Sequence, residues 1–258
     1  MDIMTEMNAF SKKPIYEMAR IIVDEMNAEE GDNYVPCELC HGKGERYKLS
    51  DDGLMWECYP CVCAESRKAL KYVERTGYLD MVKSKTFESF DAYDETMKWL
   101  VEKCKSYVNC PDGWFYLGGQ SGFGKTHLAI AMFGRLIRRH RSPRIMLWIQ
   151  DSAKLKALVT DTAEYEYQVS ILQECDILVI DDLFNTKPTQ ADIKLARTIL
   201  DYRYINRKPT IITTELMLAD LNEEDDAIAG RIAEMCGTNL IQVAPNESRN
   251  YRMRSLNE

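Results

Sequence analysis

The sequence predicts an α/β fold, with a parallel sheet covered by helices on both faces and a small cysteine-rich domain before it. Three observations predict this. From Trp114 onward, short apolar segments alternate with amphipathic ones. A glycine-rich segment, Gly119 to Thr126, joins one such apolar segment to a helical one. Five cysteines crowd between Cys37 and Cys63.

The 258 residues suit one full domain and one small one. With 45% hydrophobic and 29% charged residues, there is enough apolar material for a core. Lysines and arginines number 33 against 41 acids, a net charge of −8. That balance excludes a chain coated for nucleic acid, so any such contact must come from a local patch. The longest apolar runs, such as Ile145 to Ile149, are far shorter than the ~20 residues of a membrane span. The acidic start MDIMTEMNAF does not read as a secretion signal. The expectation is a cytoplasmic protein with no membrane contact.

Residues 11–28 read as an amphipathic helix, with Ser11 as cap, Pro14 in the first turn and Gly31 as stop. Ile15, Met18, Ile22 and Met26 form its stripe, which packs on its own small domain or docks a partner. Residues 64–83 are helical in pattern and interrupted at Thr76-Gly77, placing the boundary near 76–85. The expected domains are 1–80 and 81–258. The expected strands of the second are Trp114–Leu117, Arg144–Ile149, Ile177–Ile180, Thr210–Thr214 and Leu240–Val243.

Residues 119–126 spell G-x-x-x-x-G-K-T after an apolar strand and at the opening of a helix, the context that makes the pattern a P-loop. Glycines let backbone N–H groups converge on phosphate oxygens, and the helix start adds its positive dipole end. The nucleotide-binding segment runs through Gly119, Gln120, Ser121, Gly122, Phe123, Gly124, Lys125, Thr126 and His127. Lys125 supplies a charge for the β- and γ-phosphates, and Thr126 a hydroxyl for Mg²⁺. Four apolar residues, Ile177 to Ile180, lead into two acids about 50 residues later. At the carboxyl end of a buried strand, Asp181 is placed to hold Mg²⁺ and Asp182 to orient or deprotonate a water. ATP and ADP are the expected ligands.

The cysteines read Cys37-x-x-Cys40, then Cys58-x-x-Cys61-x-Cys63. Two pairs at such spacing are the signature of a tetrahedral structural zinc. Cys37, Cys40 and Cys61 are firm ligands, Cys58 and Cys63 compete for the fourth place, and His41 is a sixth candidate. The cluster RLIRRHRSPR, 135–144, reads as a helix end whose cations complement the dipole. Lys154 and Lys156 are further basic candidates for contact with nucleic acid.

Together these segments resemble the helicase-loader ATPases of the DnaC/DnaI type, in the AAA+ class and close to the IstB transposition helpers. SKTFESFDAY (84–93) is similar to the family's T-F-x-x-F lead-in, which places Phe87 beside the nucleotide. ILDYRYINRKPTIITTEL (199–216) resembles the sensor-I helix and strand. AIAGRIAEMC (227–236) resembles the arginine-finger segment, and RNYRMR (249–254) the sensor-II end. The resemblance implies that Arg231 reaches a neighbour's γ-phosphate, and that Arg252, with Arg249 second, is the sensor-II cation. Where the family often carries Ser-Asn, this chain has Thr214-Glu215, and Thr214 is the expected sensor. Asp182 is one methylene shorter than the usual glutamate, which implies slow hydrolysis. The implied partners are a replicative helicase, single-stranded DNA bound weakly or on assembly, and further copies of the chain through the ATP interface. An IstB-like transposition helper is the alternative.

Overall fold

The computed structural model describes residues 15–31 and 34–244. The chain divides into two units, Met1–Lys68 with Arg138–His140, and Ala69–Ile137 with Arg141–Glu258. The division falls after Lys68, within the helix Ala64–Arg75, ahead of the expected boundary.

In the first unit, helix α1 (Ile15–Ala28) precedes an antiparallel hairpin of β1 (Glu45–Leu49) and β2 (Trp56–Pro60). The buried residues of α1 are Ala19 and Val23, while Ile15 and Ile22 are exposed, so the inward face is not the stripe expected from the sequence. Asn27 explains the rotation. Its side chain accepts from the Tyr47 N–H at 3.0 Å and donates to the Tyr47 carbonyl at 2.9 Å. Residues four and eight positions before Asn27 share its face, and these are Val23 and Ala19. The hairpin was not expected. It has no apolar run, and its tip is a polar turn in which Ser50 bonds Asp52 and Gly53 takes φ 68°.

Helix α2 (Ala64–Arg75) runs across the division, and the second unit goes on with α3 (Leu79–Ser84) and α4 (Glu95–Asn109), which Asp94 caps by accepting from the Met97 N–H at 2.7 Å. Then follow β3 (Trp114–Gly119), α5 (Lys125–Arg138), β4 (Pro143–Leu147), α6 (Trp148–Ala157) and α7 (Thr162–Glu174). They lead to β5 (Ile177–Asp181), α8 (Gln190–Ile205), β6 (Thr210–Thr214), α9 (Leu218–Glu224), α10 (Asp226–Cys236) and β7 (Leu240–Val243). The five strands β3 to β7 form one parallel sheet in the order β4-β5-β6-β3-β7. The strands β3, β5 and β6 are buried at every residue, as a sheet covered on both faces requires.

Strand β4 ends at Leu147, two residues before its expected end. The Asp151 carboxylate accepts from the Leu147 N–H at 2.9 Å and starts a helix there. Trp148 then turns inward and meets the Phe184 ring edge-on, 5.3 Å away. Arg203 is fully buried, a placement the sequence did not announce. Its guanidinium donates to the carbonyls of Leu172, Gln173, Cys175 and Pro209 and to the Thr210 hydroxyl. It thereby satisfies the carboxyl end of α7 and joins it to the start of β6.

Candidate functional site

The carboxyl ends of β3, β5 and β6 build one cleft of about 330 Å³. β3 ends at Gly119, whose φ of 139° and contact with the Val243 carbonyl leave no room for a Cβ. At Gly124 (φ 101°) an added Cβ would meet the Phe90 ring at 2.5 Å, so the loop can pass under that ring only as glycine. The loop then enters α5 at Lys125. This side chain is buried, and its ammonium donates to the carbonyls of Gly119 and Gln120, both at 2.8 Å, with the Phe123 ring 5.0 Å away.

Asp181 ends β5, one residue before Asp182, which lines the cleft. Asp181 is 3% exposed, and its Oδ1 accepts from the Thr213 hydroxyl at 2.6 Å. The Thr126 hydroxyl lies near enough to favour the charged form of this carboxylate. Burial pushes the Asp181 pKa up to about 6, and the neighbouring Asp182 charge adds to this. The hydroxyls of Thr213 and Thr126 and the Lys125 charge oppose it. Asp182 adopts φ 57°, and its N–H is held by the Thr213 hydroxyl at 3.0 Å. Thr126 and Asp181 therefore bring one hydroxyl and one carboxylate together beside Lys125. Such hard oxygen donors fit Mg²⁺. Ser121, Gly122, Phe123, Gly124, Lys125, Thr126, His127 and Asp182 line the cleft, while Gly119 and Gln120 do not.

Phe87 and Thr214 do not line the cleft, and Arg231, expected to reach a neighbour's nucleotide, stands apart from this chain's own cleft. Phe87 is buried near the Arg135 guanidinium and does not line the cleft; Phe90 does. His127 sets that arrangement, since Nε2 lies 2.8 Å from the Thr86 carbonyl and the ring meets Phe90 edge-on at 5.2 Å. Burial lowers the His127 pKa, which favours the neutral ring. Thr214 is fully buried and donates to the Leu183 carbonyl at 2.6 Å. From the end of β6 it is Glu215 that lines the cleft, while Thr213 touches Asp181. Arg231 lies on α10, with Nη1 3.2 Å from Asp201 Oδ1, not aligned as a hydrogen bond, and its guanidinium 5.7 Å from the Tyr204 ring. Arg249 and Arg252 fall outside the described residues.

The basic candidates are mostly paired. Lys156 meets Asp192 at 2.7 Å and Lys154 meets Asp151 at 3.0 Å. In the 135–144 cluster, Arg141 holds Asp176 through two bonds, and Arg144 lies over Tyr72 at 4.2 Å.

In the first unit the sulfurs of Cys37, Cys40, Cys61 and Cys63 lie within 4.8 Å of one another. Cys37 and Cys61 are 3.6 Å apart, and Cys40 and Cys63 3.4 Å. Four thiolates around zinc at ~2.3 Å stand roughly 3.8 Å apart, so the set fits that ion. Cys63 is the fourth member. Cys58 lies exposed on β2, paired with Tyr47 across the hairpin and 3.5 Å from the Glu45 carboxylate. His41 is no part of the cluster. Although burial opposes it, the Gly44 N–H and the neighbouring thiols lower the Cys40 pKa to about 7. Burial, with Cys40 beside it, pushes Cys63 up to about 12.

Residues 65–252 match the family described as IstB-like ATP binding protein. The chain belongs to this family. Among relatives of this IstB-like protein, the phage-like element PBSX protein XkdC of Bacillus subtilis (strain 168) is 30% identical over 238 residues, 86% of this chain and 87% of XkdC. The replicative helicase loader DnaC of Escherichia coli (strain K12) is 24% identical over 160 residues, 60% of this chain and 65% of DnaC. Among solved structures, the DnaC helicase loader superimposes with a TM-score of 0.57 at 21% identity, over 64% of this chain and 99% of that one. DnaI superimposes with a TM-score of 0.51 at 19% identity, over 65% and 90%. The fold of the IstB-like protein is thus the DnaC-type AAA+ fold, with a cysteine cluster able to hold zinc before it. Among the described residues, no helix is long and apolar enough to cross a membrane.

Proposed function

We propose that this protein is an ATP-dependent helicase loader of DNA replication, acting in the cytoplasm. The zinc-built amino-terminal region, within residues 1–80, grips a replicative helicase. The AAA+ unit binds ATP with Mg²⁺, associates with further copies through the nucleotide interface, and delivers the helicase to single-stranded DNA. One observation carries this reading: a four-thiol cluster stands in the same chain as a nucleotide cleft of DnaC-type fold.

Within the cleft, backbone N–H groups from Gly119 to Lys125 would surround the phosphates, and Lys125 would leave the loop carbonyls for the β- and γ-phosphates. Thr126 and Asp181 would hold Mg²⁺, which neutralises charge on the phosphates. Asp182 would orient the attacking water. Arg231, freed from Asp201, would complete a neighbouring cleft, and Arg252 would act as its sensor. Hydrolysis would be slow, a switch more than a motor.

The test is co-elution of the purified chain with the host's replicative helicase, with and without ATP. Absence of a complex in both conditions refutes the loader reading. The family match supports a second reading, an IstB-like transposition helper. Long ATP-dependent filaments on double-stranded DNA, seen by electron microscopy, would favour it.

A further inference from the structure

Glu215 is a further acid in the nucleotide cleft, beside Asp182. The strand β6 lies between β5, which carries Asp181, and β3, which feeds the phosphate loop. Ile212 stands opposite Ile180 on one side, and Thr214 opposite Gly118 on the other. Glu215 follows directly, so it leaves the sheet between the acidic tip and the loop. It lines the cleft together with Lys125, Thr126 and Asp182.

Its backbone is fixed on the following side. The Leu216 N–H donates to the Thr214 hydroxyl at 3.1 Å, and the Leu216 carbonyl accepts from the Tyr116 hydroxyl at 2.8 Å. Among the described residues, no hydrogen bond or ion pair holds the Glu215 carboxylate. Asp181, by contrast, is held by the Thr213 hydroxyl. A carboxylate placed beside a polyphosphate weakens binding by repulsion unless it meets a proton donor there. An attacking water is such a donor, and Glu215 reaches one methylene further than Asp182.

We propose that Glu215 is the general base for ATP hydrolysis, with Asp182 orienting the same water. This rests on the reading of the protein as an ATPase. The water oxygen bonds to the γ-phosphorus while its proton passes to the Glu215 carboxylate. The bond between the γ-phosphorus and the bridging oxygen breaks, and its electron pair leaves with ADP. Glu215 returns the proton to solvent as phosphate departs.

The experiment compares single-turnover hydrolysis and ATP affinity in wild type, Glu215→Gln and Glu215→Asp across pH 5 to 9, at assembling concentration. Loss of about 100-fold in the hydrolysis rate of Glu215→Gln is expected, with ATP bound as tightly as in wild type or more so and with a flattened pH profile. Glu215→Asp should keep part of the rate and the wild-type profile shape. Glu215→Gln hydrolysing within threefold of wild type, or faster, overturns the proposal, because the carboxylate then only repels phosphate. Loss of ATP binding in Glu215→Gln overturns it as well. If Glu215→Gln does not fold, Glu215→Ala and Glu215→Asp decide by the same two readouts. A wild-type chain that binds ATP and never hydrolyses it would overturn the ATPase reading together with this one.

Discussion

The Thr213 hydroxyl donates to Asp181 Oδ1 at 2.6 Å and accepts the Asp182 N–H at 3.0 Å. One oxygen on β6 therefore fixes both the carboxylate that would hold the cation and the backbone of the acid beside it. Replacing Thr213 with valine keeps the shape and removes both bonds. The expected outcome is a loss of about 1–3 kcal/mol of stability together with weaker Mg²⁺-dependent ATP binding. Thr213→Ser should restore both. Calorimetric titration of ATP at several Mg²⁺ concentrations checks this, and an unchanged Mg²⁺ requirement in Thr213→Val speaks against it.

Asp181 also sets a pH dependence. Its pKa is raised from 3.8 to about 6 by burial, so the folded chain holds a proton that the unfolded chain releases. Stability from this group is full below pH ~3.8 and is lost as pH rises towards ~6, by about 3 kcal/mol at most. In the absence of nucleotide and Mg²⁺, Asp181→Asn should remove that decline and melt higher than wild type above pH 6. Equal melting temperatures of the two proteins at pH 7 would contradict it.

The metal cluster predicts one zinc per chain. Cys58→Ser should retain it, because Cys58 lies outside the cluster, whereas Cys63→Ser should bind it far more weakly. Chelation should unfold the first unit, since structural zinc contributes on the order of 10 kcal/mol to such small folds. Metal analysis by atomic absorption and far-ultraviolet dichroism before and after chelation decide it. Equal loss of zinc from both variants would reject the assignment of Cys63.

Arg203 has no place in the nucleotide cleft, yet it holds four carbonyls and a hydroxyl at zero exposure. Arg203→Met removes the guanidinium from all four, although the Leu178 N–H still reaches the Pro209 carbonyl and the Cys175 thiol the Leu172 carbonyl, at a cost of about 1–3 kcal/mol for each carbonyl left without a donor where water cannot reach. Urea denaturation should show a loss of at least ~3 kcal/mol. A loss below about 1 kcal/mol would mean that water replaces the guanidinium.

Much of this protein was legible in its sequence because local spacing sets local chemistry. The strand-loop-helix around Gly119–Thr126, the apolar run ending in Asp181 and the two cysteine pairs each carry their meaning in order and distance along the chain. The hairpin at 45–60 was not legible, because its strands alternate without a strong apolar face and owe part of their order to the cluster and to Asn27. The end of β4 was not legible either, because Trp148 and Ile149 extend an apolar run whose strand an Asp151 side chain cuts short.

What the sequence alone determined is the fold class, the phosphate loop with its acidic partner strand, and the cysteine set within one residue of choice. Only the tertiary structure decided that Cys63 joins the cluster while Cys58 does not, and that Phe90 lines the cleft in place of Phe87. It also decided that Thr213 reaches Asp181, Thr214 the Leu183 carbonyl, and Glu215 the cleft. The physical reason is one of direction. Spacing along a chain says which residues are near one another, but where each side chain points depends on strand register and on partners from elements distant in sequence.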